Sequence, residues 1–380
     1  MTPTEEPDIL FKMKRKSTLP SIVQATSDYE AWVRTFIDLD DKDLKFKHQQ
    51  MQTSSFAFMR ATFYRFMQRW PEVKHKHQPI PHVPAIGDIH IENFGTWLDK
   101  EGRLVWGVND FDEACTLPYT IDLVRLAVSA QLAAVEEKLS LSLKDICHAI
   151  LKGYKQGLVS KGQPFVLEEQ HGWLRHLVSD KRDPVAFWTK LSQLPVMKDP
   201  KPHHVKSLLK RSLPTGAQLI FAHRVAGLGD LGHARVLART SWQGGFMARE
   251  AKALAPSAAA WAADQHDPQS HALTVLNGAV RSPDPTFNIR GGFILRRLAP
   301  DAQRVELVNL PKKRDEQKLL QAMGFEIANI HLGRSEVTEE ILKDLKHHDA
   351  KWLAAATSTH TKGSQQDWHD WKHHSESTSA

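Results

Sequence analysis

Between residues 86 and 113 the chain sets polar, chemically capable side chains into short apolar runs, and this stretch limits its fold more than any other. It begins with Gly87-Asp88-Ile89-His90-Ile91-Glu92-Asn93. It ends with Val108-Asn109-Asp110-Phe111-Asp112-Glu113, where Asp110 follows Asp88 by 22 residues. Unpaired charges are costly beside apolar segments. Asp88, Asp110, Asp112, Glu113 and the Asn93 amide are therefore either turn residues left in water or groups with a task. Either half alone fits solvated turns and hairpin ends. The two together, in this order, favour a site.

The 380 residues, 41% hydrophobic and 25% charged, allow two domains with sizeable cores. Helical spacing predicts one helix through Tyr29, Trp32, Val33, Phe36 and Ile37, and another through Phe56, Met59, Phe63, Phe66 and Met67. Brief strands are expected around residues 103–108, an apolar helix over 121–135, and a further helix opened by the Ser142/Asp145 capping pattern. Asp183-Pro184 and Asp199-Pro200 mark helix starts or turns. From residue 218 the texture is β: a strand over 219–226, a Gly-rich turn at 227–232, and two strands around Gly244-Gly245. Residues 292–298 and 304–308 read as another pair. A helix follows from Asp315 and stops at Gly333.

Several classes fall away. Cys115 and Cys147 are far apart and without Cys neighbours, so neither a disulfide scaffold nor a Cys-rich zinc site is available, and a reducing, cytoplasmic setting is expected. The first residues are acidic and then basic, so no signal peptide is expected, and 123–135 is too short to span a bilayer. The net charge of +6 comes from 50 basic and 44 acidic residues scattered along the chain, which argues against nucleic acid. Many of the 21 histidines sit in a tail around Trp368, His369, Trp371, His373 and His374, which reads as solvated or disordered.

Phosphoryl transfer needs a carboxylate to orient or deprotonate the acceptor and oxygen ligands to hold Mg²⁺ against the phosphates. Asp88 suits the first role; Asn93 and Asp110 supply hard oxygen ligands, with Asp112 and Glu113 beside them. His90 either orients the loop or touches substrate. Gly227, Gly229 and Gly232 match a dinucleotide fingerprint, but a strand instead of a helix follows, which suits a hairpin over phosphates. Arg249 and Lys252 lie on the next strand. Alternation puts them on opposite faces, so one of the two is expected at the ligand.

These motifs resemble the catalytic loop and metal-binding segment of protein-kinase-like phosphotransferases of the aminoglycoside and choline kinase branch. Asp122, in Asp122-Leu123 with Ala127, would then brace the catalytic loop. The Gly-rich segment follows the catalytic loop here by about 140 residues, so the resemblance implies a circularly permuted, two-lobed α+β fold. Its expected parts are a helical segment (1–80), an α-rich catalytic lobe (81–215), a β-rich nucleotide-binding lobe (216–310), and a packing helix with a polar His-rich tail (311–380).

The stretches Ser55-Phe56-Ala57-Phe58-Met59-Arg60, 87–95, 109–114, 122–127, 224–232 and Arg249-Glu250-Ala251 further resemble the bacterial family called domain of unknown function 2252. Ile86 stands where kinase-like loops carry His, and Arg249 where many members of the family carry Lys. Asp230 stands in the Gly-rich loop where Ser is common, and a carboxylate there repels triphosphate unless it is turned away or bridged by metal. The implied function is ATP- and magnesium-dependent transfer to an unknown acceptor. A non-catalytic nucleotide-binding module and a metallophosphoesterase are the alternatives.

Overall fold

A computed structural model describes residues 18–75, 79–136, 141–168, 171–179, 183–265, 269–302 and 313–379. Four short helices come first: α1 (Ile22–Val33), α2 (Asp41–Gln50), α3 (Ser55–Ala61) and α4 (Phe63–Arg69). The first expected helix stops before Phe36 and Ile37, which lie in a turn. The second is broken at Thr62, whose hydroxyl donates to the Phe58 carbonyl and whose backbone leaves helical geometry.

The polar stretch then builds two small sheets. Strands β1 (His82–Ala85) and β4 (Cys115–Pro118) pair antiparallel. Between them β2 (Phe94–Leu98) and β3 (Leu104–Val108) form a hairpin, to which β5 (Phe165–Val166) adds an edge. The helices α5 (Thr120–Glu136) and α6 (Leu143–Val159) follow, α6 with the expected Ser142/Asp145 capping box. With α12 (Lys313–His331), α13 (Thr338–Asp344) and α14 (Ala350–Ser379) they complete a helical body around one large core.

The tail is the main departure from expectation. Residues 350–379 form a single helix that packs against α5, α3 and α1. Asp367 is buried and accepts two hydrogen bonds from Arg65 and two from Arg69. Trp371 is buried beside it, while His369, His373 and His374 face outward. Composition hid this because the anchoring side chains lie about 300 residues away in sequence.

The second body is a five-stranded antiparallel sheet made of β6 (Ile220–His223), β7 (Arg235–Trp242), β8 (Gly245–Ala253), β9 (Asn288–Arg290) and β10 (Phe293–Leu298), in the order β6-β7-β8-β10-β9. The β7–β8 turn has positive φ at both Gln243 and Gly244, which matches the right-handed twist of the strands. The helices α7 (Gly172–Ser179), α8 (Pro184–Ser192) and α9 (His204–Arg211) lead into the sheet; Asp183 caps α8, as its Asp-Pro step suggested. Leu209 and Val205 of α9 pack on one face of the sheet and Leu191 of α8 on the other, so this body takes in residues upstream of 215. The short helices α10 (Ala258–Ala262) and α11 (Ala272–Gly278) run back to the helical body. The expected strand 304–308 and the charged start of the chain lie outside the described residues. The described residues thus form a mixed α/β protein with three small sheets among them, and no described helix is long and apolar enough to cross a membrane.

Candidate functional site

The loop after β1 is held from below by Asp122 in the first turn of α5. Its two carboxylate oxygens accept the Ile86 and Gly87 backbone N–H groups at 2.8 and 2.9 Å. His331 bonds the same carboxylate through Nε2 at 3.0 Å, and Tyr154 bonds the other ring nitrogen. The bracing expected of Asp122 is therefore present, with a His from α12 at a place where the loop itself carries Ile86. Gly87 is required on its own account: its φ is +81°, and a side chain there would run into the Glu113 carbonyl.

Asp88 projects from this loop and is half-enclosed. Its Oδ1 accepts from Arg125 Nε at 3.0 Å and Nη2 at 2.6 Å, and Nη2 also reaches the Met59 carbonyl. Its Oδ2 faces Gly229, 3.5 Å from where a β-carbon of that residue would stand. Burial pushes the Asp88 carboxyl above its ordinary range, and Arg125 only partly reverses this. Arg125 is also stacked against Phe66 and Phe63, which fixes the guanidinium. A charge in the middle of an apolar helix was the sequence signal for this partner.

Asp110 and Asp112 lie just past β3 and point to one side, towards Lys252 on β8. The Lys252 ammonium is 3.0 Å from Asp110 Oδ1, 3.1 Å from Asp112 Oδ2 and 2.8 Å from Asp230 Oδ2. Asp230 belongs to the Gly-rich segment and is also held by Arg235 at 2.8 Å. The three carboxylates offer oxygens within 4.8 Å of one another, an all-oxygen set of the type that suits magnesium. Lys252 and Arg235 pull Asp230 well below the usual carboxylate range, and Lys252 pulls Asp110 down against its burial. Burial and its two acidic neighbours, Asp110 and Asp230, push the Asp112 carboxyl well above its ordinary range. Glu113, half-buried and close to Asp88, is pushed up to about 7 by desolvation and the Asp88 charge, and its carboxylate caps α10 through the Ala258 N–H.

The remaining expected residues divide. Asn93 is buried and its side-chain oxygen accepts the His90 N–H, while His90 Nδ1 accepts from the Glu92 N–H, so both residues order the loop. Of the three glycines, Gly229 is the one beside Asp88, and Lys47 holds its carbonyl at 2.7 Å. Gly227 and Gly232 serve the turn, with φ of +75° and +103°. Of the two basic residues, Lys252 is at the carboxylates. Arg249 lies three residues back on the strand, so its side chain leaves by the other face, into a separate cavity beside Leu208 and Arg290. Asp230, expected to repel triphosphate unless turned away or bridged by metal, is the third member of the carboxylate set.

Residues 39–172 match the family described as "Uncharacterized protein conserved in bacteria (DUF2252)". The matched span contains Lys47, Asp88, Asp110, Asp112, Asp122 and Arg125, whereas the Gly-rich segment and Lys252 lie beyond it. No curated protein and no solved structure matches the chain.

Proposed function

We propose that this protein is a phosphotransferase of kinase-like, circularly permuted design, which uses Mg–ATP or another nucleoside triphosphate for phosphoryl or nucleotidyl transfer. The observation that carries this reading is the convergence of Asp110, Asp112 and Asp230, drawn from two separate bodies, on Lys252, next to a Gly-rich turn that meets Asp88. The turn joins the first two strands of an antiparallel sheet and the lysine is on the third, a disposition that kinase-like sites use to cover and neutralise phosphates. Asp110, Asp112 and Asp230 would hold Mg²⁺, which supplies charge neutralisation at the phosphate oxygens. Asp88 Oδ2 would take the proton of an acceptor hydroxyl while Arg125 fixes Oδ1, and burial raises the proton affinity of this carboxylate.

One feature favours a second reading, a nucleotide-binding module without turnover. The Lys252 ammonium already stands among the three carboxylates, where a divalent cation would compete with it.

Thermal unfolding with Mg–ATP tests both readings. Ligand at a hundredfold excess over its Kd should stabilise the fold by about 2.7 kcal/mol. Asp110→Asn should remove the magnesium-dependent part of that shift, whereas Asp88→Asn should keep it and abolish transfer. No shift with any nucleotide removes both readings. A wild type that binds but never turns over, with a silent Asp88→Asn, leaves the second.

A further inference from the structure

Residues 109–112 send alternate side chains to opposite sides. Asp110 and Asp112 meet Lys252, while Asn109 and Phe111 line a cavity of about 380 Å³ on the other side. Four guanidinium groups reach this cavity, from Arg224, Arg281, Arg296 and Arg297, against one carboxylate, Asp284. Its remaining wall is largely apolar and includes Leu273, Leu276, Phe287 and Leu298.

The four arginines are not equally satisfied. Arg224 and Arg296 both bond Glu250, which Arg235 bonds as well, so three cations share one fully buried carboxylate. Arg297 pairs with Asp301. Arg281 lies over the rings of Trp97, at 4.5 Å, and Phe111, at 5.0 Å, and its Nε and Nη1 are buried with no hydrogen-bond partner. Glu326 and Asp284 are its acidic neighbours and partly offset its burial, but neither hydrogen-bonds Nε or Nη1, and Asp284 Oδ1 is taken by the Thr286 N–H and hydroxyl. A buried guanidinium with two unmet donors is costly unless an acceptor arrives, and a planar fork of this type matches carboxylate and phosphate oxygens.

We propose that this cavity is a binding site for a small organic anion, a phosphate monoester or carboxylate on an apolar body, separate from the carboxylate cluster across residues 109–112. The anion engages Arg281 with support from Arg296 and Arg297, and the apolar body rests against Leu276 and Phe287. The site stands apart from the phosphotransferase reading, because none of the residues that read it as an anion site ligates the proposed magnesium.

Calorimetric titration of the full chain with phenyl phosphate tests the proposal; benzoate, inorganic phosphate and phenol are run in parallel. One saturable site for phenyl phosphate or benzoate is expected, with phosphate and phenol each weaker because each supplies half of the contacts. The tighter of the two aromatic anions identifies the head group. Arg281→Gln should raise Kd about tenfold or more, the worth of a charge-assisted hydrogen bond. Arg297→Gln, at a partly exposed position, should weaken binding without threatening the fold, and Leu276→Trp should block the cavity. All three variants should keep any Mg–ATP stabilisation seen in the wild type. The proposal is overturned if neither aromatic anion saturates, if binding ignores both Arg281→Gln and Arg297→Gln, or if Mg–ATP displaces the anion competitively.

Discussion

Lys252 is 2% exposed, and three carboxylates around its ammonium, Asp110, Asp112 and Asp230, raise its pKa despite burial and the nearby Arg235 guanidinium. Such a residue cannot simply be deleted. Lys252→Met keeps the length and apolar stem of the side chain and leaves Asp110, Asp112 and Asp230 facing one another without their shared cation. Breaking a buried ionic set from one side costs about 3–5 kcal/mol. Urea denaturation of the variant should read a loss of that order, and Asp230→Asn added to Lys252→Met should recover part of it by removing a repulsive charge. A loss under about 1 kcal/mol would mean that the cluster is hydrated and behaves as a surface set. At this scale the sequence was informative in an uneven way. Asp88, Asp110 and Asp112 stood out because carboxylates are rare beside Ile86, Val108 and Phe111. Asp230 stood out as a carboxylate in the Gly-rich segment, but a turn residue gives no sign of which side it will face, so its place beside Asp110 and Asp112 was not legible.

Elements were legible where their apolar spacing is dense, as in α5 and α6, and poorly legible where a few side chains dock them. The helices α8 and α9 each fully bury only one or two residues against the sheet, and α14 depends on Asp367 and Trp371 meeting partners from the first seventy residues. The helices α6 and α12 pack tightly along each other, and glycines set their spacing. A β-carbon on Gly153 would stand 1.7 Å from the Gln321 carbonyl oxygen, and one on Gly324 would stand 2.1 Å from that of Ile150. These neighbours are backbone atoms of a helix and cannot swing aside. Helix propensity alone would make Gly153→Ala stabilising by about 1 kcal/mol. The packing clash should outweigh this, for a net loss of about 2–3 kcal/mol, measured by equilibrium denaturation. The shift would also disturb His331 at the end of α12, and with it Asp122 and the loop that carries Asp88. A neutral or stabilised Gly153→Ala would show that the two helices pack further apart.

The two bodies meet through apolar contacts, such as Ile37 on the sheet core and Ile289 on the helical core, and through a set of polar ones. Lys252 reaches Asp110 and Asp112, Lys47 the Gly229 carbonyl, His223 the Asp43 carboxylate, and Glu113 the start of α10. The response to pH is therefore a property of the whole molecule, and its sign has to be summed over opposing groups. Glu113 and Glu326 are each pushed by burial from 4.5 to about 7. The folded state holds their protons where the unfolded state has released them, so their contribution is full below 4.5 and is lost as pH rises to 7. Burial drives His75 and His233 from 6.5 down to about 4 and His360 to about 3, so these groups favour the unfolded chain as pH falls from 6.5. Over pH 4.5–6.5 the two sets oppose, and denaturant stability should change little. Below about 4 the histidine penalty nears its full size and the carboxylates held down by cations, Asp110, Asp230, Glu250 and Asp367, start to lose their pairing. Stability should then fall steeply. Glu113→Gln removes one of the groups that hold the plateau level, so its stability relative to wild type should be higher at pH 8 than at pH 4.5. A wild type whose stability already declines steadily from pH 6.5, with Glu113→Gln following it in parallel, would show that the seam around Glu113 is open to water and that the two bodies are not joined there in the manner described.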